Sequence, residues 1–424
     1  MIARLKRILS NWYVFSIISK ISLVLIGIVY SAFTARYLGT ELKGETAYIS
    51  SVVGTIGIFT SFGLHQAYPF YRKKYGKQNI VSKYMSNIIL LHAFYLVICV
   101  FIACFDDSIE TIAMALFVPF ASYYRIVSYV ATIETPNRIQ LIGLVIEIVE
   151  ILVILILLFT IPANFLIAVL ILVAKEIILS FIFTFKIGGA INVRNIDLKF
   201  LLEMGKYGFF PMIALLLSTM NYRVDTIMMK HMDCITTSQL GVYSIGIALA
   251  NKVLLIPDAV KTILLAKLSR DKGPEEVAMA TRCCLPVALF TCFGIIVLGR
   301  PFINFIYGGA YAGAYEVTVT TMMGTVAIIY YQMIATYNNV NRMQKINIVL
   351  LSAAVVANVV MNYFLLPVLN IVGGAIASTI SYTLCAVLFI SYFKKKTNVR
   401  VADMFIINRH DMNNIKTILR KTEK

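Results

Sequence analysis

Apolar runs separated by short polar breaks recur along the whole chain. They fall near residues 14–36, 46–69, 84–105, 110–132, 139–161, 163–186, 207–232, 238–265, 281–306, 315–337, 345–367 and 371–393. Each run is about as long as the ~20 residues that a helix needs to cross the hydrocarbon core of a bilayer. In hydrocarbon every backbone N–H and C=O must be satisfied within its own segment, so runs of this length predict helices. The pattern predicts an all-α polytopic membrane protein with about twelve transmembrane helices.

Alternate loops differ in charge. One set carries Arg72, Lys73, Lys74, Lys77 and Lys83, then Arg138, then Lys186, Arg194, Lys199 and Lys206, then Lys267, Arg270, Lys272 and Arg282, then Arg342 and Lys345. The other set holds little beyond Arg36, Lys43, Lys230 and Arg300, and includes Asp106 and Asp107. The positive-inside rule then puts both termini in the cytoplasm of a cell whose plasma membrane holds the chain. An even number of spans follows.

A repeat divides the spans. Asn137-Arg138-Ile139-Gln140 opens the fifth run and Asn341-Arg342-Met343-Gln344 opens the eleventh, with Pro162 and Pro367 closing each at nearly the same distance. Six crossings separate the copies, so both enter from the same side. This predicts two six-helix halves, residues 1–195 and 196–393, around a central cavity. A basic tail follows at 394–424, with an orienting role beside the anionic leaflet.

Composition agrees with this picture. Of 424 residues, 59% are apolar and 14% charged, with a mean hydropathy of +0.83. Soluble proteins are closer to a quarter charged. The net charge of +17 would suggest nucleic acid in a soluble protein, but here it belongs to cytoplasmic loops beside anionic lipid, and no nucleic-acid partner is expected. The seven cysteines lack metal-ligand spacing and read as small buried hydrophobes. Arg4, Lys6 and Arg7 before an apolar run resemble a signal peptide, but that run continues to about Ala35, which predicts a retained first helix.

Charges inside the runs are the candidate chemistry. Arg223 and Asp225 sit within the seventh, and residues two apart lie on different helix faces, so each needs a partner or a watery space elsewhere. The fifth run carries Glu147 and Glu150, which share one face with Gln140 and Gly143. Lys175 and Glu176 lie mid-way along the sixth, Arg125 in the fourth and Lys20 in the first. The eighth holds Lys252 and Asp258, with Pro257 expected to kink it. Any one of these could tie two helices together. Ten of them predict a hydrated central cavity in which cations meet an anionic substrate and acids take up H+ or Na+ or orient the cations. No G-x-x-x-x-G-K-[ST] motif is present, His65, His92, His231 and His410 are scattered, and no cofactor, metal site or enzymatic activity is expected.

Several stretches together resemble a family. Ala35-Arg36-Tyr37-Leu38-Gly39 followed by Gly44 is similar to the end of the first helix in Wzx-type polysaccharide-repeat-unit flippases, relatives of MATE exporters and MurJ lipid II flippases. Arg223-Val224-Asp225, Leu240-Gly241-Val242-Tyr243-Ser244, Ile256-Pro257 and Leu268-Ser269 resemble that family's seventh and eighth helices. Asn358, Asn362-Tyr363, Leu366-Pro367 and Gly373-Gly374-Ala375 to Ser378 resemble its last helical turn-around. The likeness runs from about Tyr13 to Tyr392, and departs where Gly39-Thr40-Glu41 replaces a frequent Gly-Pro-Glu.

The resemblance implies a flippase for undecaprenyl-pyrophosphate-linked oligosaccharide in a bacterial plasma membrane, working by alternating access. Its partners would be membrane lipids and the polymerase and chain-length regulator of a glycan pathway. Arg223, Lys252, Arg125, Lys175 and Lys20 would then meet the head group, with Asp225, Glu147, Glu150, Glu176 and Asp258 coupling an ion or pairing charge. A MATE-like antiporter for organic cations is the alternative, and it would want a more acidic cavity.

Overall fold

The computed structural model describes residues 12–187, 192–269, 273–397 and 399–405. Among them the regular elements are helices. In chain order these are α1 (Trp12–Thr60), α2 (Leu64–Tyr75), α3 (Lys77–Cys104), α4 (Ile109–Glu134), α5 (Pro136–Thr160) and α6 (Phe165–Ile187). They continue with α7 (Leu198–Lys230), α8 (Thr237–Ala250), α9 (Leu255–Leu268), α10 (Glu275–Ile306), α11 (Ala314–Val340) and α12 (Gln344–Lys396).

Ten stretches of the described residues are long and apolar enough to cross a membrane, and the first and last are 51 and 53 residues long. A straight helix of 53 residues would extend roughly 80 Å, more than twice the ~30 Å hydrocarbon core. Neither stretch is straight. α1 breaks at Gly39, whose φ of 70° is open to a residue without Cβ, and α12 breaks at Asn370 with φ 50°. Beyond Asn370 the chain folds back, for a Cβ on Gly373 would lie 2.2 Å from the Leu365 carbonyl oxygen. Two broken stretches and eight single ones give the twelve spans that periodicity predicts.

Local chemistry shifts several boundaries. The second predicted span is interrupted at Ser61–Gly63, where Phe62 and Gly63 both take positive φ. There the backbone meets α7 directly: a Cβ on Gly63 would sit 2.2 Å from the Gly208 oxygen. α7 begins at Leu198 rather than near residue 207, because the turn before it is fastened to α3. Ser86 Oγ accepts from the Asn192 N–H at 3.0 Å, Asn87 Oδ1 accepts from the Asp197 N–H at 3.0 Å, and Lys83 Nζ lies 2.7 Å from Asp197. In the eighth span the irregularity precedes Pro257. Proline offers no N–H to the Val253 carbonyl one turn back, and residues Asn251–Leu254 tighten into a 3₁₀ turn.

The chain forms two compact units, residues 1–216 and 217–424, so that α7 contributes to both. The first unit has a core of Tyr68, Tyr84, Ile126, Val127 and Phe183. Beside it Glu134, its side chain fully buried, pairs with Arg72 and accepts from the Tyr68 hydroxyl at 2.8 Å. The second unit packs Met333, Leu351, Tyr382, Cys385 and Phe389. Large apolar side chains such as Phe159, Phe185, Phe290 and Val368 are exposed, while Asn358, Asn362, Ser378 and Ser381 are fully buried. An apolar exterior over a polar interior is the arrangement lipid requires. Most of the basic tail, residues 406–424, lies outside the described residues.

Candidate functional site

Each unit houses carboxylates within its spans, and the two solutions differ. In the first unit Glu147 and Glu150 project from the same face of α5. Lys175 of α6 reaches between them, with Nζ 3.3 Å from Glu147 Oε1 and 3.2 Å from Glu150 Oε2. Tyr30 of α1 presents its ring to the same ammonium, 5.6 Å from Nζ to the centroid. At 1.5 Å per residue Glu147 lies roughly 16 Å from Pro136 and Lys175 about 15 Å from Phe165, so three helices meet at mid-depth.

The three charged side chains are between 15% and 27% exposed, so the centre is neither sealed nor open. Among the described side chains, two carboxylates around one ammonium carry a net charge of −1 when ionised. Glu147 Oε2 is buried and accepts no hydrogen bond from the described residues. A buried acceptor without a donor is costly, and a proton or a solvated cation would relieve it.

In the second unit Asp225 is completely buried. Its Oδ2 accepts from the Tyr243 hydroxyl of α8 and from Ser378 Oγ of α12 at 3.0 Å, and Oδ1 accepts from the Thr226 N–H at 2.8 Å. One helical turn earlier Asn221 Oδ1 accepts from Ser381 Oγ at 2.6 Å, while the Asn221 carbonyl accepts from Asn358 Nδ2 at 3.3 Å. Asn358 Oδ1 in turn accepts from Asn362 Nδ2. Met229 lies against Gly374, where a Cβ would be 2.2 Å from its methyl. One face of α7 is thus held to α8 and α12 by neutral donors spaced a turn apart.

The remaining sequence candidates are distributed as follows. Arg125 of α4 donates from Nη2 to the Gly54 carbonyl at 3.2 Å. Glu176, Arg223 and Lys252 are partly buried and Asp258 is exposed, and Lys252 lies in the 3₁₀ turn ahead of Pro257. The backbone of Lys20 is part of α1, and its side chain lies outside the described residues. The structure therefore joins Lys175, Glu147 and Glu150 directly. Sequence reasoning assigned no role to Tyr30, Tyr243 or Ser378. Tyr243 and Ser378 fall in the stretches of family resemblance, which is the signal that marks them.

No group of His, Cys, Asp and Glu side chains among the described residues has metal-holding geometry.

Comparison with known proteins adds the following. The family described as "Polysaccharide biosynthesis protein" matches residues 8–264. No curated protein matches the chain in sequence. Among solved structures, a lipid II flippase MurJ in an inward closed conformation is 17% identical with a TM-score of 0.65, over 92% of this chain and 89% of that one. An inward-facing multidrug resistance MATE family transporter of the MOP superfamily is 11% identical with a TM-score of 0.68, over 88% and 94%. A MOP superfamily transporter from Pyrococcus furiosus, described by a reversed polarity of its binding pocket, is 13% identical with a TM-score of 0.54, over 89% and 94%. At these identities the likeness is one of fold.

Proposed function

We propose that this chain, which belongs to the polysaccharide biosynthesis protein family, is a flippase for lipid-linked oligosaccharide. The substrate would be an undecaprenyl-pyrophosphate-linked repeat unit, carried from the cytoplasmic to the outer leaflet of a bacterial plasma membrane. The observation that carries this reading is the family match over residues 8–264, which ties a transporter fold to glycan assembly. A pyrophosphate with sugars cannot cross hydrocarbon unaided. A polar path between two helical halves, 1–195 and 196–393, would carry the head group while the lipid tail stays in the bilayer.

Arg223, Lys252, Arg125 and Lys20 are the cations proposed to meet the pyrophosphate in this path. Lys175 has a double role in the proposal. Glu147 and Glu150 hold its charge, so a phosphate would gain it only when those carboxylates are neutralised. Protonation, or occupation by Na+, would thereby couple the ion to the substrate. Glu176 and Asp258 are assigned to charge pairing, and Asp225 to holding α7 in place. In this reading both termini would face the cytoplasm, and a polymerase and chain-length regulator would be partners in the same membrane.

One observation favours a second reading, a MATE-like antiporter of organic cations. The centre at Lys175 has a net negative charge and an aromatic wall in Tyr30, which suits a cation. Replacing Arg223 with Ala separates the two. The flippase reading expects surface glycan to disappear at normal protein level. Export at the wild-type rate would remove the cationic path from the mechanism, and drug sensitivity of a deletion strain with unchanged surface glycan would favour the antiporter.

A further inference from the structure

Outside the charged centres, the first unit has an apolar groove enclosing about 420 Å³, within the range of ligand-sized clefts, roughly 300–1,000 Å³. Leu201, Leu202 and Phe209 of α7 form one wall. Phe62 and Leu64, at the break between α1 and α2, and Leu91 of α3 form the other. Gly205 leaves the floor open, with nothing within 4 Å of where a Cβ would lie. Among the described residues that line the groove, the charged one is Lys206, which is exposed.

The groove has a depth and a polarity. Leu201 is roughly 5 Å and Phe209 about 17 Å along α7 from Leu198, and Leu91 is about 21 Å along α3 from Lys77. It therefore extends roughly 15 Å along these helices from near their polar ends, about the thickness of one leaflet. At its outer end aromatic rings gather: Tyr71 meets Phe200 at 5.5 Å, and Lys74 and Lys83 lie over Tyr75 and Phe200 at 5.0 and 4.8 Å, while Phe70 stacks on Tyr207 at 4.8 Å farther in. Tyrosine-rich belts with lysines mark the level of lipid head groups. Phe62 holds its place at the inner end with φ 46°, a backbone conformation that aromatic residues seldom adopt.

We propose that this groove is a binding site for one acyl chain of an anionic glycerophospholipid, whose phosphate meets Lys206. Charge complementarity selects the head group: Lys83 at the rim is paired with Asp197, which leaves Lys74 beside the aromatic rings and Lys206, whose stem extends along the groove, as the cations for a phosphate. Length selects the chain, since a one-leaflet groove fits an acyl chain and is overfilled by a polyprenyl tail. The site is separate from the centre at Lys175 and holds whatever the transported head group is.

The test uses the full chain, delipidated in detergent, with its melting temperature followed as phosphatidylglycerol or phosphatidylcholine is added. Retained lipid is identified in parallel by native mass spectrometry. Wild type is expected to be stabilised more by phosphatidylglycerol and to retain it. Gly205→Phe, which fills the groove without meeting backbone, should keep the lipid-free melting temperature and lose the shift. Lys206→Gln should keep chain binding while its affinity for phosphatidylglycerol weakens roughly fivefold, the scale of one lysine beside an anionic surface. An undiminished shift in Gly205→Phe, no preference between the two lipids in wild type, or retention of undecaprenyl phosphate in place of phospholipid would each overturn the proposal.

Discussion

The two units place carboxylates in the membrane by opposite means. Glu147 and Glu150 share a cation and stay partly open, whereas Asp225 is sealed and receives only hydroxyl and backbone donors. A carboxylate with a single shared counter-ion carries unbalanced charge and can respond to protons and ions. One whose acceptors are filled by Tyr243, Ser378 and Thr226 N–H has little left to offer a ligand. On the proposed function, the first would be the working centre and the second a joint between helices.

The sharpest way to break this comparison is Asp225→Ala. It leaves the Tyr243 and Ser378 hydroxyls buried without an acceptor, at about 1–3 kcal/mol each, so a loss of roughly 2–6 kcal/mol is expected in thermal melting of the purified chain. Lys175→Met should cost somewhat less, about 3 kcal/mol at the lower edge for a broken buried pair, because the site is partly solvated. Adding Glu147→Gln and Glu150→Gln to it should restore most of that stability while transport stays lost. A triple variant no better than the single one would deny that charge imbalance governs the centre.

Asp225→Asn keeps an oxygen acceptor for one hydroxyl and should cost only about 1 kcal/mol, near the ~0.6 kcal/mol average for hydrogen bonds between membrane helices. Normal transport in this variant would fit a joint, and loss of transport with normal melting would return Asp225 to the ion-coupling role.

The smallest effect is expected at Asp197, outside the spans. Hydrogen bonding from Lys83 and then from the Phe200 N–H holds its carboxyl below the usual value. A depressed folded value means its stabilising contribution is present above the ordinary carboxyl pKa and fades as pH falls through the folded one. Asp197→Asn should therefore lower melting slightly near pH 7, leave it unchanged below the folded carboxyl pKa, and so flatten the decline on the acid side. An identical acid limb would remove Asp197 from the pH dependence.

Much of the fold was legible because lipid imposes length and apolarity on every span, and the breaks at Gly39 and Asn370 fall where polar residues interrupt the pattern. The centre at Lys175 was legible in part, since Glu147 and Glu150 lie three apart on one helix face. Its third wall, Tyr30, lies over a hundred residues away and resembles any other buried tyrosine in sequence. Asp225 shows the limit most clearly. Its partners Tyr243 and Ser378 are 18 and 153 residues distant and uncharged, so a search for a compensating cation could not find them. The break at Ser61–Gly63 was hidden because apolar residues flank it, and only the close approach to Gly208 explains it.

The central claim is translocation of a lipid-linked oligosaccharide. The most direct measurement reconstitutes the chain in liposomes with undecaprenyl-pyrophosphate-linked oligosaccharide in one leaflet and follows its appearance in the other. The account predicts protein-dependent transfer that accelerates with an imposed proton or Na+ gradient, and an acceleration that is lost in the Glu147→Gln, Glu150→Gln double variant. Transfer no faster than in protein-free liposomes, from a preparation that exchanges organic cations, would contradict it.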